Sequence, residues 1–345
     1  MSLEPLESFE EAYVARVREA LLLRRVPEVA VEDAARYART LIERGAPVLF
    51  DQTHLSHVVA VPSQVVSMIR RDPSRFYSAF RIPKRNGGSR LVQAPTPQLK
   101  QIQHWLHRHV TSLLRAHDCA HGFVRGRSIV TNAQPHVGAT VVLKLDLRDF
   151  FGSVHRPTVF RAFRFLGYSR DMANLLADLT TLDGSLPQGA PTSPDLSNYA
   201  AYRLDVRLSK LAARRKLVYT RYADDLTFSG AFSPLELRTI EHIVRAEGFS
   251  PNEKKLRYLR PEQRQSVTGV VVNEKLNWPR PRRRWLRQEV YYLRRYGFDD
   301  HTQRRGIAKS RYKEFLYGHA YALHAVRPDE ALALLAELDE VDWPY

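Results

Sequence analysis

Two apolar segments that carry aspartate constrain the fold of this sequence more than any other feature. Residues 141–147 form a run of β-branched and aliphatic residues with Asp146 inside it. Residues 217–229 place the adjacent pair Asp224 and Asp225 between two apolar halves, a pattern typical of a β-hairpin with acidic residues at its turn. Aspartate is depleted from strands and is rarely buried without a partner. The fold must therefore offer these carboxylates a compensating partner.

A divalent cation is the partner that best explains all three carboxylates. If the two segments lie side by side in one sheet, Asp146, Asp224 and Asp225 meet at one end of it. Adjacent like charges cost free energy unless a cation neutralises them, and hard oxygen ligands favour Mg²⁺, with Mn²⁺ as an alternative. Three carboxylates can hold two cations about 3.5–4 Å apart, the arrangement used for phosphoryl transfer. The alternative, a solvated turn, suits an isolated Asp-Asp pair better than this sequence.

The remaining pattern predicts a mixed α+β fold. Residues 80–92 are expected to form a β-hairpin around a glycine turn, and residues 267–272 a short apolar strand that contains Gly269. Helical periodicity predicts that Gly45 ends an early helix. The segments predicted to be helical are 1–50, 99–114, 157–182, 195–215, 234–248 and the chain beyond 282.

The charge balance points to a polyanionic partner. The 345 residues include 53 Lys and Arg against 37 Asp and Glu, a net charge of +16. Nucleic acid is the commonest such partner, and a basic protein without one is the alternative. The single cysteine, Cys119, excludes an intramolecular disulfide and a multi-cysteine zinc site. With no signal-peptide pattern and no apolar run near the ~20 residues that span a bilayer, we expect a cytoplasmic protein without a membrane partner.

Several motifs, in one order along the chain, resemble those of reverse transcriptases. The Tyr-Ala-Asp-Asp string at 222–225 matches their palm signature, and Leu-Pro-Gln-Gly-Ala-Pro-Thr-Ser-Pro at 186–194 matches their second palm motif. The resemblance covers about residues 76–330. It implies an α+β right-hand polymerase fold with fingers, a palm of antiparallel sheet flanked by helices, and a helical thumb. The expected division is an N-terminal helical extension at 1–50, fingers with part of the palm at 51–140, the catalytic palm with inserted fingers helices at 141–275, and an RNA-binding thumb at 276–345.

The resemblance also implies roles for single residues. Asp146, Asp224 and Asp225 would be the catalytic carboxylates and the ligands of a two-metal Mg²⁺ site. Phe151 would be the steric gate that rejects a ribose 2′-hydroxyl; the alternative is a core phenylalanine beside Phe150. The other residues expected to bind the nucleotide are Lys84, Arg90, Gln188, Gly189 and Lys255.

Each of these nucleotide-binding residues has a physical rationale. Lys84 and Arg90 flank the turn of the fingers hairpin, where a fixed positive charge would offset charge on the triphosphate. A solvated basic hairpin is the alternative, and Arg85 could replace Lys84. Gln188 would contact the nucleotide, while its glycine neighbour would let the backbone approach. Lys255, rather than Lys254, would protonate the leaving pyrophosphate.

Two further segments resemble the bacterial retron reverse transcriptases. Residues 132–136 match an Asn-Ala-x-x-His motif and residues 267–269 match a Val-Thr-Gly motif. The resemblance implies that the enzyme binds a structured non-coding RNA, primes from the 2′-hydroxyl of an internal guanosine, and makes a short, branched RNA–DNA product (msDNA) from dNTPs. Many such systems act in antiphage defence with a fused or separate effector protein, and here the effector would be a separate chain or absent. Asn132 and His136 are then expected to bind RNA; the alternatives are a helix cap and a core histidine.

Residues 282–291 are rich in arginine and include aromatic residues, which suits an RNA-binding thumb. Arginines suit phosphates and aromatic rings suit unpaired bases. A solvated helix face with a buried aromatic stripe is the alternative. The RNA contacts predicted here are Arg282, Arg283, Arg284, Arg287 and Tyr291.

Two other functions stay open from the sequence. A group II intron or diversity-generating reverse transcriptase would share the polymerase motifs, but such proteins usually carry extra C-terminal regions. A non-catalytic RNA-binding scaffold or antitoxin would keep the basic segment around a vestigial site. The intact carboxylates, together with Gln188 and Arg90, favour a working polymerase over that scaffold.

Overall fold

The computed structural model describes residues 9–83, 87–306 and 311–344. The helices in those ranges are α1 (Phe9–Leu23), α2 (Glu28–Glu43), α3 (Gln52–Val59), α4 (Ser63–Arg71), α5 (Pro97–His109), α6 (Ile129–Ala133), α7 (Arg156–Phe165), α8 (Arg170–Thr180), α9 (Ser193–Arg214), α10 (Pro234–Ala246), α11 (Arg280–Arg305), α12 (Tyr312–His324) and α13 (Pro328–Asp339). The strands are β1 (Tyr77–Pro83), β2 (Ser89–Pro95), β3 (Val142–Asp146), β4 (Val218–Tyr222), β5 (Asp225–Ser229), β6 (Arg257–Leu259), β7 (Ser266–Val267) and β8 (Val270–Val271). Within the described ranges, no helix is both long and apolar enough to cross a membrane.

The chain divides into two compact units, each assembled from separated segments. The first unit takes the chain up to His117, then Arg148–Val206 and Val244–Ser250. The second takes Asp118–Leu147, Arg207–Ile243 and the chain from Pro251 onward. Helices accompany antiparallel sheets, which confirms the predicted α+β class.

Helices dominate the first unit. α1 and α2 pack through Val14, Ala35 and Ala38, and α2 ends where Gly45 adopts a φ of 68° and donates its N–H to the carbonyl of Ile42, as predicted. Buried Gln103 of α5 donates its side-chain amide to the carbonyl of Leu179 at 2.8 Å. This bond ties α5 to the end of α8.

The β1–β2 pair of the first unit confirms the predicted hairpin. The strands are antiparallel, from Tyr77 opposite Pro95 to Pro83 opposite Ser89. Gly87 and Gly88 both have positive φ, which glycine alone adopts without strain. Most of the hairpin's side chains are exposed, including Phe80 and Leu91. Residues 84–86 lie outside the described residues.

A four-stranded antiparallel sheet organises the second unit, in the order β4-β5-β3-β6. Strand β3 lies between two neighbours, and its apolar residues Val142, Leu143 and Leu145 are buried. On one face Tyr219 and Phe228 stack with their ring centroids 4.5 Å apart. The predicted 217–229 hairpin is confirmed as β4 and β5 with a two-residue turn.

The C-terminal helices of the second unit share a separate core. Leu286 and Val290 of α11 pack with Leu316 of α12 and Leu334 of α13. Within α11, Gly297 has a φ of 77°, so two helical stretches meet there at a kink. Buried Glu289 bridges that kink, because it accepts hydrogen bonds from Tyr312 at 2.6 Å and pairs with His301 at 2.9 Å.

Two predicted elements were wrong in detail. Residues 157–182 form α7 and α8, because Gly167 has a φ of 102° and Ser169 caps α8 by accepting the N–H of Met172. Residues 267–272 are not one strand. Positive φ at Thr268 (46°) and Gly269 (87°) folds them into the tight β7–β8 hairpin.

Candidate active site

The register of the second unit's sheet gathers the three aspartates. Asp146 is the last residue of β3 and lies directly opposite Asp225, the first residue of β5. The backbone carbonyl of Asp224, in the turn, accepts the N–H of Leu147 at 2.9 Å. The expectation that the two aspartate-bearing segments are neighbours in one sheet is therefore confirmed.

A separate backbone segment supports this acidic turn. The N–H of Arg221 donates to the carbonyl of Cys119 at 2.8 Å, and His121 donates back to Arg221 at 2.7 Å. The Arg221 side chain is fully buried and donates to the carbonyl of Ala223 at 3.1 Å. Since Ala223 has a φ of 56°, which costs a non-glycine residue free energy, these contacts hold a strained turn in place.

Gly122 shows how close that support is. A β-carbon on this residue would lie 2.3 Å from the backbone nitrogen of Ala223, well inside van der Waals contact. Only glycine can occupy this position without displacing the turn. The His-Gly-Phe string at 121–123 thus has a steric role beside the aspartates.

Both carboxylate oxygens of Asp146 are engaged. Lys255 donates its ammonium to Oδ2 at 2.7 Å, and the side-chain amide of Asn252 donates to Oδ1 at 3.1 Å. The backbone N–H of Asn252 also donates to the carbonyl of Asp146 at 2.7 Å. Asp146 is only 6% exposed, whereas the Lys255 side chain is 57% exposed. Lys255, rather than Lys254, is the lysine that reaches the site.

The electrostatics of the cluster show too little positive charge. Burial, followed by the charges of Asp225 and Asp146, raises the pKa of the Asp224 carboxyl to about 6. Burial also raises the pKa of Asp225, although nearby Lys144 opposes that rise. Burial lowers the pKa of Lys255, but its bond to Asp146 and the surrounding carboxylates raise it by more, so the net shift is upward. A bound cation would therefore stabilise the three charged carboxylates.

These residues suit a hard divalent cation in chemistry, although their side chains are not arranged as a metal site. Among the residues that the structure describes, no three His, Cys, Asp or Glu side chains are grouped to hold a metal ion. Both carboxylate oxygens of Asp146 are instead bonded to Asn252 and Lys255. The donors are oxygens only, and burial, with the charges of Asp225 and Asp146, raises the pKa of the Asp224 carboxyl. The donor set fits Mg²⁺ once Asp146 exchanges its present partners.

The first unit holds the predicted Gln188–Gly189 pair against strand β2. The carbonyl of Gln188 accepts the N–H of Gln93 at 2.8 Å. Gly189 has a φ of 133°, and a β-carbon there would lie 2.8 Å from the carbonyl oxygen of Gln93. Glycine is therefore required at 189 for the close approach of two backbones.

The other predicted nucleotide-binding residues of the first unit occupy distinct environments. Phe150 is 4% exposed and packs on Phe249 at 5.7 Å, so it is the core phenylalanine of the pair. Its neighbour Phe151 is only partly buried, in the turn after β3. Arg90 is exposed on β2, opposite Ile82. Lys84 and Arg85 lie outside the described residues.

The two motif residues predicted to bind RNA are inside the protein. Asn132 and His136 are both 0% exposed. The His136 ring contacts Thr220 of β4 and Ser229 of β5. Neither side chain can touch RNA directly, so any effect on RNA binding must pass through other residues. The spacing that suggested the motif carries no information on burial.

The predicted thumb residues differ in exposure, and Arg287 as well as Arg283 pairs with Glu330, Arg287 at 3.9 Å. The Arg282 guanidinium lies 3.9 Å from the centre of the Trp278 ring, and Arg283 forms a 3.0 Å ion pair with Glu330 in which both side chains are 16% exposed. The exposed members are Arg284, Arg287 and Tyr291. Arg283 is thus engaged within the protein, while the exposed members remain accessible to a ligand.

Sequence reasoning assigned no role to three residues of this site: Arg221, Asn252 and Lys144. An arginine in an apolar strand segment is as unusual as the aspartate in β3, and that signal could have identified Arg221. Lys144 precedes Asp146 by two residues, so strand alternation places both on one face. Asn252 carries no comparable signal, because its partner is 106 residues away.

Comparisons with known proteins agree with this geometry. Residues 82–274 match the family described as reverse transcriptase (RNA-dependent DNA polymerase). The Retron Mx162 reverse transcriptase of Myxococcus xanthus is 38% identical over 79% of this chain and 62% of its own length. The Retron Mx65 reverse transcriptase of the same organism is 44% identical over 64% of this chain and 57% of its own length. This chain thus aligns with less than two thirds of either Myxococcus protein.

A shorter relative is matched along most of its length. The Retron Ec86 reverse transcriptase of Escherichia coli is 31% identical over 75% of this chain and 84% of its own length. The matched regions include the carboxylate-bearing sheet, since the family match spans Asp146 to Lys255. With the motifs, the sheet register and these similarities in agreement, the chain belongs to the retron reverse transcriptase family.

Proposed function

We propose that this protein is a retron-type, metal-dependent RNA-directed DNA polymerase. The observation that carries the proposal is the pairing of Asp146 with Asp225 across β3 and β5, with Asp224 in the adjoining turn. A scaffold without chemistry would gain nothing from buried carboxylates that repel one another. The rise in the pKa of Asp224 to about 6 supports a site kept for a cation rather than for stability.

Asp146, Asp224 and Asp225 would hold the Mg²⁺ ions. When bound, Mg²⁺ supplies activation of the attacking hydroxyl and neutralises charge on the leaving pyrophosphate. The protein's own contribution is the rigid placement of these carboxylates by the sheet register and the Gly122 contact. Mn²⁺, with similar oxygen preference, is an alternative ion.

In the proposed reaction, a primer hydroxyl oxygen forms a bond to the α-phosphorus of a dNTP. The bond from that phosphorus to the bridging oxygen breaks, and pyrophosphate leaves with the electron pair. The hydroxyl proton passes to water, and the ammonium of Lys255 donates a proton to the pyrophosphate. Lys255 suits this role because its ammonium already lies at the acidic cluster, 2.7 Å from Asp146 Oδ2.

Nucleotide selection would fall to residues of the first unit. Phe151 would exclude a ribose 2′-hydroxyl, and Arg90 with Lys84 would bind the triphosphate. Gln188 would contact the nucleotide. Its neighbour must be glycine because the backbone at 189 lies close to β2. These roles rest on the family resemblance, on the partial exposure of Phe151 and on the exposure of Arg90.

The partner would be a structured non-coding RNA bound through the C-terminal helices, assigned as the thumb. Exposed Tyr291 lies beside Arg295, whose guanidinium donates to the Tyr291 hydroxyl at 2.9 Å. A ring and a guanidinium in contact suit an unpaired base next to a phosphate. By resemblance to retron enzymes, synthesis would start at a guanosine 2′-hydroxyl and yield branched RNA–DNA, in antiphage defence with a separate effector.

The Asp224→Asn variant tests the polymerase proposal. It keeps the shape of the turn but removes one charge, so we expect loss of at least about 10³-fold in DNA synthesis, because a metal ligand acts in the reaction itself. RNA binding should stay within about twofold of wild type, since the C-terminal helices are unchanged. The measurement is primer extension with purified protein, with RNA binding by filter retention. DNA synthesis at the wild-type rate would refute the assignment of the carboxylates.

The nucleic acid that co-purifies with the protein tests the retron part separately. The gene is expressed with its native flanking DNA, and the bound nucleic acid is treated with RNase, DNase and a debranching enzyme. Short DNA joined to RNA through a debranchable bond is expected. DNA without a branch would retain the polymerase but overturn priming from a 2′-hydroxyl, and RNA alone would favour a scaffold.

A further inference from the structure

A buried polar cluster lies against the hairpin that carries the catalytic aspartates. We call it the hairpin brace, and its members are Asn132, His136, Thr220, Ser229 and Thr268. Asn132 and His136 are 0% exposed, and Thr220 and Ser229 are 3% and 2% exposed. Buried polar groups cost free energy unless they are hydrogen bonded, so a cluster of this size needs a reason.

The His136 ring joins the two strands of the hairpin. Its Nε2 lies 2.8 Å from the hydroxyl of Thr220 on β4, and its Nδ1 lies 2.7 Å from the hydroxyl of Ser229 on β5. The Thr220 hydroxyl donates its single proton to the carbonyl of Asn132 at 3.4 Å. It must therefore accept from Nε2–H of His136, which leaves Nδ1 to accept from Ser229. One tautomer of a neutral ring satisfies the whole chain of bonds.

Thr268 brings the Val-Thr-Gly segment into the same cluster. Its φ of 46° is a strained value for a β-branched residue, and such strain persists only where surrounding contacts enforce it. The Thr268 hydroxyl donates to the carbonyl of Ile129 at 3.1 Å and lies 3.5 Å from the Asn132 amide. These contacts hold the turn of β7–β8 against α6.

The brace lies on the face of the sheet that carries a catalytic carboxylate. Alternate residues of a strand share a face, so Asp225 and Ser229 project to the same side of β5. Thr220 is opposite Thr227 on that same face. A rotation or slip of the hairpin relative to α6 would therefore displace Asp225. A misplacement of about 1 Å can cost about 10²-fold in rate.

We propose that Asn132, His136 and Thr268 are positioning residues, which couple the two retron-type motifs to the catalytic hairpin instead of contacting RNA. The proposal rests on the polymerase function proposed above. It explains why two motifs 131 residues apart, counted from His136 to Val267, meet in one hydrogen-bonded cluster. It also explains the strained turn at Thr268, since that turn forms one end of the brace.

The decisive comparison is Thr220→Val against Thr227→Val. The two threonines are cross-strand partners, and both are almost fully buried. The Thr227 hydroxyl has no hydrogen-bond partner within the described part of the chain, whereas that of Thr220 bonds His136 and Asn132. Both variants replace a hydroxyl with a methyl group on the same face, but of these two hydroxyls it is that of Thr220 which bonds within the brace.

We expect Thr220→Val to lower kcat for DNA synthesis by about 10- to 100-fold, with KM for dNTP and Kd for RNA within about twofold of wild type. Thr227→Val should match wild type in all three. Equal kcat for the two variants would overturn the brace. Weaker RNA binding with unchanged kcat would overturn it too, since that result marks the motifs as RNA-binding elements.

A second pair of variants tests the other end. Thr268→Ser keeps the hydroxyl and should retain kcat within about threefold, whereas Thr268→Val should lose about as much as Thr220→Val. Equal loss in both would show that only the shape of the turn matters and would overturn the role of the hydroxyl.

A spectroscopic measurement separates this proposal from the polymerase function. Nitrogen-15 NMR of ring-labelled wild-type protein should show His136 as the neutral tautomer with its proton on Nε2, and Thr220→Val should shift that signal while Thr227→Val does not. If wild type makes no DNA, the polymerase proposal fails, yet the tautomer still reports on the brace. The opposite tautomer, or a signal insensitive to Thr220→Val, overturns the brace whatever the activity.

Discussion

Lys255 and Asp146 illustrate how single side chains balance charge at the acidic cluster. Three carboxylates at the end of the sheet lie near the ammonium groups of Lys144 and Lys255, and that of Lys255 bonds Asp146 at 2.7 Å. The Lys255 ammonium partly neutralises the cluster, and it would have to leave Asp146 when the carboxylate binds a cation. A lysine released in this way is free to protonate a leaving group, so the same residue can serve two stages of one cycle.

Replacing Lys255 with methionine should therefore separate proton donation from nucleotide binding. We expect kcat to fall by about 10²-fold, because general acids typically contribute 10²–10⁴-fold. KM for dNTP should change little. The test is steady-state primer extension across a range of pH, in which the variant should lack the loss of rate that wild type shows once Lys255 deprotonates at high pH.

Lys254→Met is the matched control, since it removes the neighbouring charge without touching Asp146. A loss of kcat confined to Lys254→Met would transfer the role to that lysine. Wild-type kcat in both variants would exclude a lysine general acid here.

Phe151→Ala should weaken the discrimination between deoxyribonucleotides and ribonucleotides. If the partly exposed ring is the gate, its removal leaves room for a 2′-hydroxyl, and the ratio of kcat/KM for dNTP over rNTP should fall about tenfold or more. Single-nucleotide incorporation measures this ratio. Phe165→Ala, which removes a phenylalanine that is 64% exposed on α7, should leave it unchanged. An unaltered ratio in Phe151→Ala would contradict the gate.

At the scale of elements, the β4–β5 hairpin is held by backbone contacts from outside its own sheet. Residue Ala120 forms an isolated bridge with Arg221, which extends the hydrogen bonding at the outer edge of β4. The turn thus has support on the side away from β3. This explains how a short hairpin with a left-handed alanine can hold carboxylates in a defined position.

Gly122→Ala should disturb this arrangement more than its small size suggests. A β-carbon 2.3 Å from the nitrogen of Ala223 must push the turn away, because the contact is with backbone rather than a flexible side chain. We expect the free energy of unfolding to fall by about 1–3 kcal/mol, and kcat to fall with it. Urea denaturation and primer extension provide the two measurements.

Gly318→Ala is the control for this change. It lies in α12 with no atom within 4 Å of the added carbon, so it should be neutral or stabilise the protein by about 0.5–1 kcal/mol. If Gly122→Ala behaved like Gly318→Ala, the close contact with the turn would not be a constraint.

Hydrophobic periodicity predicted which segments are helices and which are strands. It did not predict where some of these segments are interrupted. Alternation and apolar runs predicted β3 and the β4–β5 hairpin, because those patterns follow from which faces are buried. The break at Gly167 and the turn at Thr268–Gly269 depend on positive φ. A threonine is a poor signal for a positive φ, so residues 267–272 resemble a strand in sequence.

At the scale of the whole molecule, buried His136 and half-buried Asp224 make stability respond to pH in opposite directions. Burial, followed by the charge of His121, lowers the pKa of His136 to about 4 from an ordinary 6.5. As pH falls through that window, the unfolded chain gains a proton that the folded chain does not, so stability is lost. The pKa of Asp224 is raised to about 6 from 3.8, so in its window the folded chain gains the proton first and acid stabilises the fold.

The Asp224→Asn variant should remove the pH effect of Asp224 on stability and leave that of His136. Without the half-buried charge, the free energy of unfolding at pH 7 should rise by about 1–3 kcal/mol in metal-free buffer, as expected when a functional charge is removed. Between pH 6.5 and 4 the variant should then lose stability more steeply than wild type, because the His136 contribution is no longer offset. Urea denaturation at several pH values measures both effects.

Asp33→Asn serves as the control for that experiment. Its side chain is 64% exposed, so its replacement should change stability by less than about 0.5 kcal/mol at every pH. If Asp224→Asn were no more stable than wild type at pH 7, the charge repulsion inferred for the cluster would be contradicted.

The sequence by itself determined the class of fold, the aspartate-bearing strands and the family, because periodicity and motif order are properties of neighbouring residues. Tertiary structure alone decided which lysine meets Asp146, 109 residues away, and that Gly122 abuts the acidic turn. It also decided that Asn132 and His136 lie inside the protein. Such contacts depend on how distant segments pack, and a buried histidine and an exposed one have the same letter in the chain.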